Sequence, residues 1–151
     1  MPTVYDVPQD LIIKRLSEYL RRLPQVAPPM WAYMVKTGSH AERPPSEREW
    51  WYTRAASILR KLYLHGPLGL SDLEPMYGGR KSVGYSLAHH RDGGGSNIRQ
   101  ILKQLEAAGL VAKEGRKGRV LTNKGRSLLD RLSGEIFKEL VKVNPELAKY
   151  G

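Results

Sequence analysis

Cysteine is missing from all 151 residues, and its absence removes disulfides, thiolate zinc sites and cysteine nucleophiles. Long apolar runs are missing too, since none approaches the ~18 residues that span a bilayer. The opening MPTVYDVPQD lacks the basic-then-apolar pattern of a secretory signal, so a cytoplasmic protein is the simplest expectation. Acid is scarce from 78 to 127, where only Asp92, Glu106 and Glu114 occur, whereas two-metal nucleases need clustered carboxylates. No nucleophile elbow, H-E-x-x-H or dinucleotide fingerprint is present. The expectation is a protein with no catalytic residues, no cofactor and no metal.

Positive charge is what the chain has in excess. The formal net charge is +10, and 78–127 alone carries eleven Lys/Arg against three Asp/Glu. The rest holds fourteen against twelve. A well-mixed solvated surface does not concentrate charge in this way, so the physical reading is an electropositive face that meets a polyanion. Nucleic acid is favoured over an anionic membrane, because no helix pairs a basic face with exposed bulky apolar anchors.

The stretch from Ser96 to Thr122 organises the rest. It opens as an amphipathic helix with Ser96 as N-cap and Gly109 at the C′ position. Ile98, Leu102, Leu105 and Ala108 share one side, while Arg99, Gln100 and Lys103 project from the other. Two strand-like runs follow, Leu110–Glu114 and Arg119–Thr122, joined by Gly115-Arg116-Lys117-Gly118. Helix, glycine turn and basic hairpin make the C-terminal half of a winged helix-turn-helix, with Thr122-Asn123-Lys124-Gly125 starting the next helix. The fold expected is mainly α: a winged helix-turn-helix core with a small β-hairpin wing, plus an N-terminal helix and a proline-rich belt. One domain is expected over 1–151. Its parts are the N-terminal helix and belt (1–45), the helix-turn-helix, basic loop and wing (46–127), and a C-terminal helix and tail (128–151).

Taken in order, residues 1–7 read as extended, and Pro8 opens a helix to about Leu23 with Ile12, Leu16, Tyr19, Leu20 and Leu23 facing the core. The segment from Pro24 to Pro45 is the belt, with Trp31 as its anchor; Lys36-Thr37-Gly38 and His40 could reach a phosphate, but their spacing does not require it. Ser46-Glu47-Arg48-Glu49 forms a capping box for a helix from Trp50 to Tyr63. Trp51, Ala55, Ile58, Leu59 and Leu62 form the buried stripe of that helix, and Trp50, Arg54, Ser57 and Lys61 lie opposite with Arg60 beside them. Two readings of Trp50 stand: stacking on a base or ribose, or packing against the belt. Ser71-x-x-Glu74 caps a short helix ending at Tyr77, and a long loop, Gly78 to Gly95, precedes the Ser96 helix. Arg80 and Lys81 sit beside paired glycines that permit close backbone approach, and Arg91 adds to the loop's charge. His89, His90 and Asp92 fall short of a convergent metal set, and a phosphate contact suits them better. A final helix carries Leu128, Leu129, Leu132, Ile136 and Leu140, and Pro145 stops it.

These residues resemble the archaeal and eukaryotic small-subunit ribosomal protein nineteen family, the "e" type. The matching pieces are Thr3-Val4-Tyr5-Asp6-Val7, Pro29-Met30-Trp31 with Val35-Lys36, and Trp50-Trp51-Tyr52-Thr53-Arg54-Ala55-Ala56-Ser57. Further along they are Leu62-Tyr63-Leu64, Tyr77-Gly78-Gly79-Arg80, Leu105-Glu106, Gly118-Arg119 and Leu121-Thr122. Of these, the tryptophan-to-serine run and Tyr-Gly-Gly-Arg are the specific ones. Pro28-Pro29 and Arg43-Pro44-Pro45 are more similar to archaeal members. The resemblance implies a helical protein that binds rRNA in the head of the small subunit, beside other head proteins, with a part in subunit assembly and rRNA maturation. It carries RNA binding to Arg54, Arg60, Arg80 and Arg99. With the residues chosen above, the RNA-binding set is Trp50, Arg54, Arg60, Lys61, Arg80, Lys81, Arg91, Arg99, Lys103, Arg116, Lys117 and Arg119. The free protein is expected to be a monomer that does not bind membranes.

The alternative is a winged-helix transcription regulator, with Arg99, Gln100 and Lys103 in a major groove and Arg116-Lys117 on phosphates. Against it stand the eighteen-residue loop before the helix, little base-reading diversity on the outward face, and no evident dimer seam. A protein-interaction module would leave the charge of 78–127 unexplained.

Overall fold

A computed structural model describes residues 3–33, 49–81, 89–91, 93 and 95–146; for Tyr33, Arg80, Lys81 and 89–91 it describes the backbone alone. Among the described residues, five α-helices and two hairpins follow one another. They are α1 (Gln9–Arg21), α2 (Trp50–His65), α3 (Leu70–Met76), β1 (Gly79–Lys81), β2 (His89–Arg91), α4 (Gly95–Ala107), β3 (Val111–Glu114), β4 (Gly118–Leu121) and α5 (Asn123–Val143). No described helix is long and apolar enough to cross a membrane.

The helical periodicity becomes one buried cluster. Ile12, Leu16 and Leu20 of α1 meet Trp51, Ala55, Ile58, Leu59 and Leu62 of α2. Ile98, Ile101, Leu102 and Leu105 of α4 and Leu128, Leu129, Leu132 and Ile136 of α5 complete it. Helix α1 packs on both α2 and α5, and α3 packs on α4. Residues Val4–Asp6 form a 3₁₀ turn rather than the extended start expected, because Val4 is fully buried and Asp6 accepts hydrogen bonds from the Thr3 amide (2.8 Å) and hydroxyl. The Pro24–Tyr33 part of the belt places Val26 and Ala32 in the core, with the Trp31 ring edge-on to Trp51 at 5.7 Å. Lys36-Thr37-Gly38, His40, Ser46 and the rest of 34–48 lie outside the described residues.

Both expected cap assignments in the middle of the chain change. The N-cap of α2 is Glu49, whose side chain makes no cap bond and instead pairs with Arg21. For α3 the N-cap is Gly69, and Asp72, not Glu74, accepts from the Gly69 amide at 2.8 Å. The Gly78–Gly95 stretch, read as a loop, contains a short antiparallel ladder of β1 with β2, pairing Arg80 with His90 and Lys81 with His89. Helix α4 begins at Gly95, one residue before Ser96.

The wing is closer to expectation. At the end of α4 the Leu110 amide donates to the Leu105 carbonyl (3.1 Å) and the Gly109 amide to Glu106 (3.0 Å), with Gly109 at φ +82°. That is a Schellman stop, which needs a left-handed residue at C′. Strands β3 and β4 pair Val111 with Leu121 through Glu114 with Gly118. A third edge joins the hairpin: Leu68 exchanges both backbone hydrogen bonds with Arg119, at 3.1 and 2.9 Å. The segment between α2 and α3 therefore joins the wing. Thr122 caps α5 by accepting from the Gly125 amide (3.2 Å), while its own hydroxyl donates to the Gly109 carbonyl (2.7 Å). One threonine thus ties the start of α5 to the end of α4.

Candidate nucleic-acid interface

Helix α2 turns its apolar stripe inward, which leaves Arg54, Ser57 and Lys61 on another side at i, i+3 and i+7. Tyr77, at the end of α3, lies across them. Its hydroxyl hydrogen-bonds the Ser57 hydroxyl at 2.8 Å. The Arg54 guanidinium sits 4.2 Å and the Lys61 ammonium 4.3 Å from its ring centroid, within cation–π range.

Burial and like charge shape the electrostatics of this cluster. Arg54 is pushed below its ordinary value by loss of solvent. Lys61 is lowered first by burial, then by the charges of Arg54 and Arg60. Burial raises the Tyr77 phenol. Two nitrogens, Arg54 Nη1 and Arg60 Nε, are shielded from solvent and find no acceptor among the described residues. The arrangement holds three cations with an aromatic ring, rather than a carboxylate, between two of them. An anion with several acceptor oxygens is the group that would complete it.

The other sequence-derived residues fall into distinct situations. Arg99 and Lys103 are exposed on α4, and Arg116 and Lys117 are exposed in the turn of the wing, where the Lys117 amide donates to the Glu114 carbonyl at 3.0 Å. Arg119 differs: its guanidinium pairs with Glu106 of α4, so its charge is neutralised within the chain. Lys124 donates to the Ala108 carbonyl (3.2 Å) and Arg126 rests over the Tyr63 ring, so part of the excess charge of 78–127 has internal partners. Arg80, Lys81 and Arg91 belong to the β1–β2 ladder, but their side chains, like those of His89 and His90, lie outside the described residues.

Trp50 takes the packing alternative. It is 8% exposed, its indole donates to the Ala32 carbonyl at 3.0 Å, and its ring meets Trp51 edge-on at 5.4 Å. A base has no open face to stack on there. The residue that sequence reasoning missed is Tyr77. Twenty residues separate it from Ser57, and no periodicity links a helix end to a face of a different helix; the signals present are the cation-rich face of α2 and the Tyr77-Gly78-Gly79-Arg80 piece of the resemblance.

A mainly helical core with a cation-tipped antiparallel hairpin after α4 defines a winged-helix protein. A family model described as "Ribosomal protein S19e" matches residues 3–139. Among curated proteins, the small ribosomal subunit protein eS19 of Aeropyrum pernix is 52% identical over 152 residues, covering 99% of each chain. That of Thermoplasma acidophilum is 43% identical, again over 99% of each chain. The eS19A protein of Schizosaccharomyces pombe is 36% identical over 91% of this chain and 95% of its own. The chain belongs to the ribosomal protein S19e family.

Proposed function

We propose that this protein is a structural constituent of the small ribosomal subunit, in its head, and that it binds small-subunit rRNA without catalysing a reaction. The observation that carries the reading is family membership along nearly the whole chain, with relatives named as small-subunit proteins. The physical support is the distribution of cations with no carboxylate partner among the described residues over Arg54, Arg60 and Lys61, over Arg99 and Lys103, and over Arg116 and Lys117. Phosphates in folded RNA are the matching partner, read by shape more than by sequence. Arg80, Lys81 and Arg91 extend the set by their place in the basic hairpin. Neighbouring head proteins, a part in subunit assembly and rRNA maturation, and a cytoplasmic place in the ribosome follow from the same reading.

The test is binding of the full chain to small-subunit rRNA and to duplex DNA, each across a salt series. Tight, salt-sensitive rRNA binding with DNA as a poor competitor is expected. Equal or better binding to DNA at a preferred site would overturn the reading and favour a winged-helix regulator.

A further inference from the structure

We infer that Tyr77 is a positioning residue for the phosphate contacts of α2: its ring holds the Arg54 guanidinium and the Lys61 ammonium in place to meet RNA phosphates. The inference rests on the rRNA-binding reading. Arginine and lysine side chains are rotamer-rich, and fixing each on a phosphate costs entropy that a free side chain must lose on binding. Here the loss has already occurred in the free protein, because both cationic heads sit about a van der Waals contact from one ring. Ring electrons also offset part of the repulsion between two like charges without neutralising either, as a carboxylate would. The cluster therefore stays attractive to phosphate.

Tyr77 is fixed at its hydroxyl and along its backbone. Ser57, midway between Arg54 and Lys61 on α2, bonds its hydroxyl at 2.8 Å. The Tyr77 amide donates to the Glu74 carbonyl at 3.3 Å, closing the end of α3. Gly93 lies so close that a Cβ there would stand 2.9 Å from the Tyr77 carbonyl oxygen and 3.0 Å from its Cβ, while the Gly93 amide donates to Glu74 at 2.8 Å. Tyr77 is thus held by α3 and by the chain between β2 and α4, and it presents its ring to α2.

The experiment measures binding of the wild-type chain, Tyr77→Phe and Tyr77→Leu to small-subunit rRNA over a salt series, with the Arg54 side-chain Nε–Hε NMR signal followed in the free proteins. Tyr77→Leu is expected to bind about fivefold to tenfold more weakly at every salt concentration, with an unchanged salt slope, because both charges remain. Tyr77→Phe keeps the ring and stays within about twofold of wild type, on the same cation–π argument. The Arg54 signal moves toward its ring-free position only in the leucine variant. If Tyr77→Leu does not fold, a ring-fluorinated phenylalanine at position 77 removes the ring's negative face at nearly constant shape, and the same loss relative to Tyr77→Phe is expected. Wild-type affinity in the leucine or fluorinated variant, or equal loss in phenylalanine and leucine, overturns the inference alone. No rRNA binding by the wild-type chain overturns the functional reading and this inference together.

Discussion

The indole of Trp51 donates to the Gln104 side-chain oxygen at 2.9 Å, and the same amide grips the backbone of Ala27. Gln104 accepts from the Ala27 amide at 3.3 Å and donates to the Ala27 carbonyl at 2.7 Å. One side chain on α4 therefore satisfies a tryptophan that is fully buried on α2 and fixes the start of the belt. Gln104→Ala would leave the Trp51 N–H without its acceptor inside the core, which costs about 1–3 kcal/mol. The expected result is a lower unfolding midpoint with faster hydrogen exchange at both the Trp51 indole and the Ala27 amide. Unchanged exchange at Ala27 would show that the belt is held by other contacts.

Gly118 enters β4 at φ +113°, and a Cβ there would collide with the backbone of Leu68 and Gly69. Both the dihedral and the contact exclude a side chain. The strand edge contributed by Leu68 can pair with Arg119 only because the neighbouring residue has no Cβ. Gly118→Ala should destabilise the protein by at least about 2 kcal/mol, from strain together with displacement of the Leu68 segment. The amides of Leu68 and Arg119 should lose protection first. A variant of wild-type stability would mean that the wing re-forms without that edge.

Much of the fold could be read from local pattern. The stripes of α1, α2, α4 and α5 repeat at helical spacing and are buried as that spacing requires, and Gly109 ends α4 in the way a C′ glycine should. What could not be read depends on partners distant in sequence. Leu68 looks like part of a glycine-proline turn until Arg119 arrives to pair with it. Glu49 completes a capping-box pattern, yet its carboxylate is drawn to Arg21 instead. The α2 cations were found because they lie off the apolar stripe. Their half-burial against Tyr77 was not, since it depends on how α3 packs. Arg54 and Arg60 lie outside that stripe, and each has a shielded nitrogen, so neutral glutamine replacements probe their part in binding without placing a carboxylate there.

Tyr63 provides a pH-dependent contribution to stability. Its hydroxyl donates to an Asp130 carboxylate oxygen at 2.6 Å, and burial, then that bond, push the phenol up to about 12. An unfolded tyrosine ionises near ~10. The neutral phenol is therefore favoured in the native state, and its contribution is complete below pH about 10 and lost between about 10 and 12 as the unfolded form releases its proton first. Tyr77 acts in the same direction, so a difference measurement is needed. Urea midpoints of wild type and Tyr63→Phe should converge as pH rises through that window. A constant gap would show that Tyr63 ionises at its ordinary pH in the fold.

The wing separates cations available to a ligand from those already paired. Arg116 and Lys117 are exposed at its turn, whereas Arg119, only two residues beyond Lys117, pairs with Glu106 across to α4. Each phosphate contact contributes roughly 0.7–0.9 to the slope of log affinity against log salt. Replacing Arg116 and Lys117 with glutamine should therefore lower the magnitude of that slope by about 1.4–1.8 on the same per-contact figure, with little change in stability. Arg119→Gln should do the reverse. It leaves the slope near wild type but lowers the unfolding midpoint, because Glu106 is left partly buried without its partner. Parallel salt titrations and thermal melts of the two variants decide the matter. If Arg119→Gln flattened the slope as much as one exposed cation, its pairing with Glu106 would have to open when RNA binds.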